Sequence, residues 1–282
     1  MSTIFDKTVC LTVTFHMPGD SRHGNMGDVE TDANKSELAL RKRIFRSDSY
    51  RECWMIANKT RKWIEKRSVP SPLKAGTYLV PQGLVDEVEE MLGVAQAAFY
   101  AEADSFIAEY PFLIKQAEGR LGSQFDPRNY PPVDVMRRRF RVERMFLDFA
   151  PARPGGIDQE QELEGALLEI KAALRAGLLE LVQKLTNMLG DRKDGKKKGL
   201  RDTALTAFTE WMDLLPARLV VDDDELKGLA DKAKAIMAGK AVADLRDIES
   251  VRSQVRTELA NVGEQLKGLL KDMPARAFSF DE

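Results

Sequence analysis

Histidine and cysteine are almost missing from this 282-residue chain, which holds only His16, His23, Cys10 and Cys53. Two cysteines imply no disulfide framework, and a reducing cytoplasm is the simpler setting for them. The four side chains form none of the close pairs, such as C-x2-C or H-x3-H, that zinc sites are built from, so no metal is expected. The chain also lacks G-x-S-x-G, H-E-x-x-H and G-x-G-x-x-G. The nearest approach to a phosphate loop, Gly190 to Lys197, has Lys197 where Ser or Thr must hold magnesium, and a helix rather than a strand precedes it. Asp222-Asp223-Asp224-Glu225 lacks the alternating oxygen ligands and central glycine of a calcium loop, and reads as acids capping a helix start. Aspartate and glutamate are too abundant for a catalytic pair to be nominated. The expectation is a protein with no catalytic residues and no cofactor.

Long apolar runs are missing too. Nothing approaches 18 consecutive apolar residues, which argues against a membrane-spanning helix. The N-terminal residues carry no basic stretch followed by an apolar one, so a signal peptide is not expected and the protein should be soluble and cytoplasmic. Net charge is −2, from 43 basic and 45 acidic residues, so the whole-chain balance points to no partner and only local clustering can.

What is present is helical periodicity with a few strands. Val9 to Met17 alternates as a strand does, ended by Pro18-Gly19. Residues 18–37 read as a loop, Leu38 to Phe45 as a strand or a helix start, and 48–67 as a helix with a poorly defined apolar face. Thr77 to Pro81 is short and extended. From Leu84 the apolar residues Val88, Met91, Leu92, Ala95, Phe99, Phe106 and Tyr110 keep helical spacing. Pro111 should end or kink that helix, with a shorter one continuing to Leu121-Gly122. Phe125 to Pro132 reads as turns and Arg139 to Phe149 as a strand. Pro151 to Gly156 is a linker, after which helices are expected over 158–189, from Leu200 to Leu215 ending at Pro216, from Asp222, and from Val242 to Lys271. In the last, Val255, Leu259, Val262, Leu266, Leu269 and Met273 form a short coiled-coil seam, open either to the same bundle or to a second subunit, and a homo-oligomer is expected. The fold class is therefore α+β and predominantly α-helical. A mixed α/β domain is expected over 1–150, a helical hairpin bundle over 158–275, and a short acidic and aromatic tail over 276–282.

Two segments are locally basic. Residues 41–67 hold ten Lys or Arg against Asp48, Glu52 and Glu65, with Phe45, Tyr50, Trp54 and Trp63 between them. The second is Arg137-Arg138-Arg139-Phe140-Arg141-Val142-Glu143-Arg144. Arginine and lysine neutralise phosphates, and aromatic faces stack on unpaired bases. Arg41, Arg43, Arg46, Arg61, Lys62, Arg137, Arg138, Arg139 and Arg141 are the expected phosphate contacts, and Trp54, Trp63 and Phe140 the expected stacking rings. The competing account is ordinary: the rings are core, and the charges pair with acids of the same chain or of a partner.

Gly76 to Pro81, the long helix after it, Glu109-Tyr110-Pro111, Phe125 to Pro131 and Arg139-Phe140 resemble an uncharacterised family of bacteriophages and mobile elements. Leu214-Leu215-Pro216 followed by Asp222 to Leu226 fits the same pattern, so the resemblance spans about residues 40 to 265, while residues 16–37 depart from it. Its motifs are structural punctuation. The resemblance implies a phage or mobile-element origin and no particular activity. Distant relatives of that family occur beside genes for MoxR-type AAA+ ATPases and von Willebrand factor A-type proteins, which implies an adaptor role. Two functions are thus expected: single-stranded DNA binding through the basic segments, or a protein–protein adaptor or inhibitor acting on an AAA+ ATPase or a host defence protein.

Overall fold

A computed structural model of the chain describes residues 7–70, 76–147, 158–190 and 202–271. The 151–157 linker, most of the charged Gly190–Gly199 turn, Met273 and the 276–282 tail lie outside the described residues. In chain order the elements are β1 (Thr8–His16), β2 (Ser21–His23), β3 (Arg41–Arg43), α1 (Asp48–Arg67), β4 (Val69–Pro70), β5 (Thr77–Pro81), α2 (Val85–Leu121), α3 (Val133–Arg137) and β6 (Arg141–Leu147). Then follow α4 (Asp158–Met188), α5 (Asp202–Arg218), α6 (Asp224–Met237), α7 (Val242–Asp247) and α8 (Glu249–Leu270). The fold is α+β and predominantly helical. Strand order is β4-β5-β1-β6 in one sheet, and β2 pairs with β3 in a second. The β2–β3 ladder is antiparallel with Arg22 opposite Lys42, so the expected loop at 18–37 begins with a strand.

The chain forms two compact units, and their boundary is not the expected one at 151–157. The first comprises Met1–Cys10, Glu65–Val85 and Leu147–Glu282; the second comprises Leu11–Ile64 and Asp86–Phe146. The reason lies in the core of the first unit. Val69 and Leu79, opposite each other in the β4–β5 ladder, are fully buried in the same cluster as the C-terminal helices. The hairpin therefore belongs with α4 to α8, although the sequence places it far from them.

In the first unit α4 packs along α8, burying Leu174, Leu178, Val182 and Leu185 with Val255, Leu259, Val262 and Leu266. Of the two alternatives expected for the α8 seam, these four residues take the first: they are buried within the same bundle. Arg252, 1% exposed, donates to the carbonyls of Leu189 (2.8 Å), Met188 (3.2 Å) and Gly190 (3.1 Å). These carbonyls lie at the end of α4, where a helix leaves its last carbonyls without partners of its own. Helix α5 runs two residues past Pro216 to Arg218. The single helix expected from Val242 to Lys271 is two, because Ile248 adopts φ −100 and ψ 103.

In the second unit α2 lays Val88, Leu92, Ala95, Phe99, Phe106, Tyr110, Leu113 and Ala117 along one buried stripe. Of the two outcomes expected at Pro111, an end is corrected: α2 continues through it. A proline inside a helix removes one hydrogen bond and costs about 3 kcal/mol. Leu113 and Ala117 are buried beyond it on the same stripe, which offsets that loss. Gly122 ends the helix at φ +52, a conformation open to glycine. Helix α1 starts where the Ser47 hydroxyl accepts from the Tyr50 N–H at 3.1 Å, and buries Cys53, Ala57, Thr60 and Ile64. Its apolar stripe is narrow but regular.

Candidate nucleic-acid interface

The two basic segments meet on one ring. Phe45 and Phe140 both pack on Phe106, with centroids 5.0 and 5.3 Å away. Each phenylalanine follows or interrupts a run of arginines, so burying it fixes where its charged neighbours leave the core. Phe140 is 5% exposed, and the expectation that it stacks on bases is corrected: it is buried against Phe99 and Phe106. The backbone of 43–44 is pinned by Arg120, which donates to the Arg43 carbonyl at 2.9 Å and the Ile44 carbonyl at 3.3 Å, and by the Tyr130 hydroxyl, 2.8 Å from the Ile44 carbonyl. The Lys42 ammonium is spent on the Gln124 carbonyl.

The expected phosphate contacts divide into two sets. Arg43 pairs with Asp20 at 3.3 Å, Arg138 with Asp134 at 3.1 Å, Arg141 with Glu143 at 2.8 Å, and Arg137 with Asp104. Arg61 is half-buried over the Phe15 ring, 5.9 Å from its centroid, and donates to Asn58 at 3.2 Å. By contrast the side chains of Arg41, Arg46, Lys62 and Arg139 are exposed and make no hydrogen bond or ion pair among the described residues. Lys59 and Arg144, which the sequence reading left out of the site, are in the same condition. A signal for them existed. Arg138 has Asp134 four residues back and Arg141 has Glu143 two residues on, whereas Lys59 has no acid at helical spacing and Arg144 none at strand spacing.

Trp54 projects from α1 with 58% of its surface exposed, on the same side of the helix as Arg51, Asn58 and Lys62. Trp63 is half-buried. The basic stretch 41–67 is not one surface. Its last residues, Lys66 and Arg67, fall in the first unit and reach Glu210 at 3.0 and 3.4 Å. Burial alone would push the Glu210 carboxyl up, but these two cations outweigh it and hold it below its ordinary value. His16 on β1 bonds Glu143 on β6 at 2.9 Å, and that bond, more than any other cause, lowers the Glu143 carboxyl. Cys10 and Cys53 are buried and unlinked. Among the described residues no three His, Cys, Asp or Glu converge as metal ligands would, and no helix is long and apolar enough to cross a membrane.

No family model, no curated protein and no solved structure matches the chain. What the second unit offers is a set of exposed cations without side-chain partners among the described residues and one exposed indole, Trp54, beside a buried aromatic cluster.

Proposed function

We propose that the second unit binds nucleic acid, single-stranded DNA by preference, and that the protein works by binding rather than by catalysis, in a bacteriophage or mobile element. Arg41, Arg46, Lys59, Lys62, Arg139 and Arg144 contact phosphates, and Trp54 stacks on a base. The observation that carries this reading is local: within the two basic segments, 41–67 and 137–144, six exposed cations have no side-chain hydrogen-bond or ion-pair partner among the described residues. Arg43, Arg137, Arg138 and Arg141 join as contacts only by leaving a carboxylate. Exposed pairs of that kind are worth no more than about 1 kcal/mol, so the exchange is cheap. Oligomerisation along the strand would use a surface other than the four buried residues of the α8 seam.

The test is fluorescence anisotropy with labelled single- and double-stranded oligonucleotides across a salt series. Six phosphate contacts on a single strand give a slope of log K against log salt of about −4. Replacing the six cations by alanine should flatten it and abolish tight binding. Equal binding by wild type and this variant sinks the assignment. A protein–protein adaptor is the second reading, and Val94 and Phe112 favour it, each 62% exposed on α2. Co-purification of a stoichiometric protein partner with no oligonucleotide binding at low salt would select it.

A further inference from the structure

The first unit contains a cleft of about 340 Å3 between α5 and α6 that nucleic-acid binding does not use. Its floor is apolar, made by Met212 and Leu215 of α5, Leu219 and Val221 of the following turn, and Ala230 of α6. Its rim is acidic. Asp222, Asp224 and Asp231 line it, all exposed and without a hydrogen-bond or ion-pair partner among the described residues. Two lysines also reach the rim, but Lys234 is engaged by Asp213 at 3.5 Å, which leaves Lys227 as the one uncommitted cation among the described lining residues, against three carboxylates. The positive end of α6 contributes about half a charge, too little to reverse the sign. Asp223 and Glu225, beside these acids in sequence, are held by Arg175, so the start of α6 and with it one wall of the cleft is fixed in place.

An apolar floor inside a negative rim selects its occupant. Phosphates and acidic segments are repelled at the rim, and a small uncharged molecule leaves the three carboxylates unanswered. We infer that this cleft docks a basic peptide segment of a partner protein, with one or two large apolar side chains on the floor and Lys or Arg residues against Asp222, Asp224 and Asp231. The volume sits at the lower end of the range for binding pockets and suits side chains rather than a whole domain.

The experiment uses the full chain and a short fluorescein-labelled peptide with a central leucine pair flanked by arginines. Controls are the same peptide with the arginines replaced by glutamates, and with the leucines replaced by serines. Saturable binding of the first peptide alone is expected, weakened at least tenfold by Asp222→Lys with Asp231→Lys, and likewise by Leu219→Trp, which fills the floor. Both variants should keep their affinity for single-stranded DNA, which separates this site from the second unit; should Leu219→Trp fail to fold, the charge reversal on the exposed rim still decides. Three results would overturn the inference: no saturable binding, equal binding of the glutamate-flanked peptide, or self-association of the wild type in sedimentation velocity that Leu219→Trp abolishes, since the occupant would then be a second copy of this chain.

Discussion

Arg175 grips Asp223 at two points, its Nε and Nη2 each lying 2.8 Å from a different carboxylate oxygen. The same guanidinium reaches Glu225 at 2.7 Å and the Leu269 carbonyl at 3.2 Å, while Asp223 accepts from the Leu226 N–H at 3.1 Å. One side chain of α4 therefore secures the first turn of α6 and the last turn of α8. Both members of the pair are buried, at 8% and 2% side-chain exposure, and because Arg175 also holds Glu225, it is the loss of Arg175 that strands a buried charge, that of Asp223. Arg175→Ala is expected to lower the unfolding free energy by about 3–5 kcal/mol in urea titration. A loss below about 1 kcal/mol would show that the pair does not hold the helices together.

That pair also sets an acid limit. Burial pushes the Asp223 carboxyl up, but the bonds from Arg175 and the Leu226 N–H outweigh it, and the group ends below its ordinary value. A carboxyl whose folded pKa lies below its unfolded one stabilises the fold fully above the unfolded value, and that contribution fades as pH falls through the folded one. Melting temperature should therefore drop as pH falls below about 4, the unfolded value for aspartate. Asp223→Asn should flatten that part of the profile, and an unchanged profile would assign the acid loss to other groups.

Trp54 and Phe140 make opposite predictions. Trp54→Ala should leave the melting curve nearly unchanged and weaken single-stranded DNA binding by about 1–3 kcal/mol. Phe140→Ala removes a ring wedged between Phe99 and Phe106 and should destabilise by about 3–5 kcal/mol. A Trp54→Ala protein that binds like wild type removes stacking from the proposed mechanism.

The thiols should be silent in the folded state. Burial pushes Cys53 up to about 12, its Sγ–H directed at the Phe99 carbonyl 3.6 Å away, and burial also raises Cys10. Since the thiolate is the reactive form, a disulfide reagent at pH 8 should titrate neither cysteine natively and both in guanidinium. Fast native labelling of Cys53 would mean that the core around α1 opens.

Much of the secondary structure could be read from periodicity, because buried stripes such as Val88 to Tyr110 repeat at the helical interval. The departures share one cause. Pro111 and Pro216 are local signals to stop, yet tertiary burial beyond them decides, and nothing at Ile248 announces a break because neither glycine nor proline stands there. At the interface, the exposure of Trp54 and the burial of Phe140 look alike in sequence, since each is an aromatic among arginines. Pairs such as Arg138–Asp134 were visible from spacing. Arg43–Asp20 and Arg137–Asp104 join distant segments and were not.

The division of the chain has a consequence for the order in which it is made. The second unit needs nothing beyond residue 146, so it can close while the ribosome is still translating. The first unit needs Cys10, Val69 and Leu79 from the beginning and Leu266 from near the end, so its core waits for nearly the whole chain. At about 5–20 residues per second that delay is on the order of ten seconds. For that interval Val69 and Leu79 of the β4–β5 hairpin wait without the helices that bury them in the finished fold.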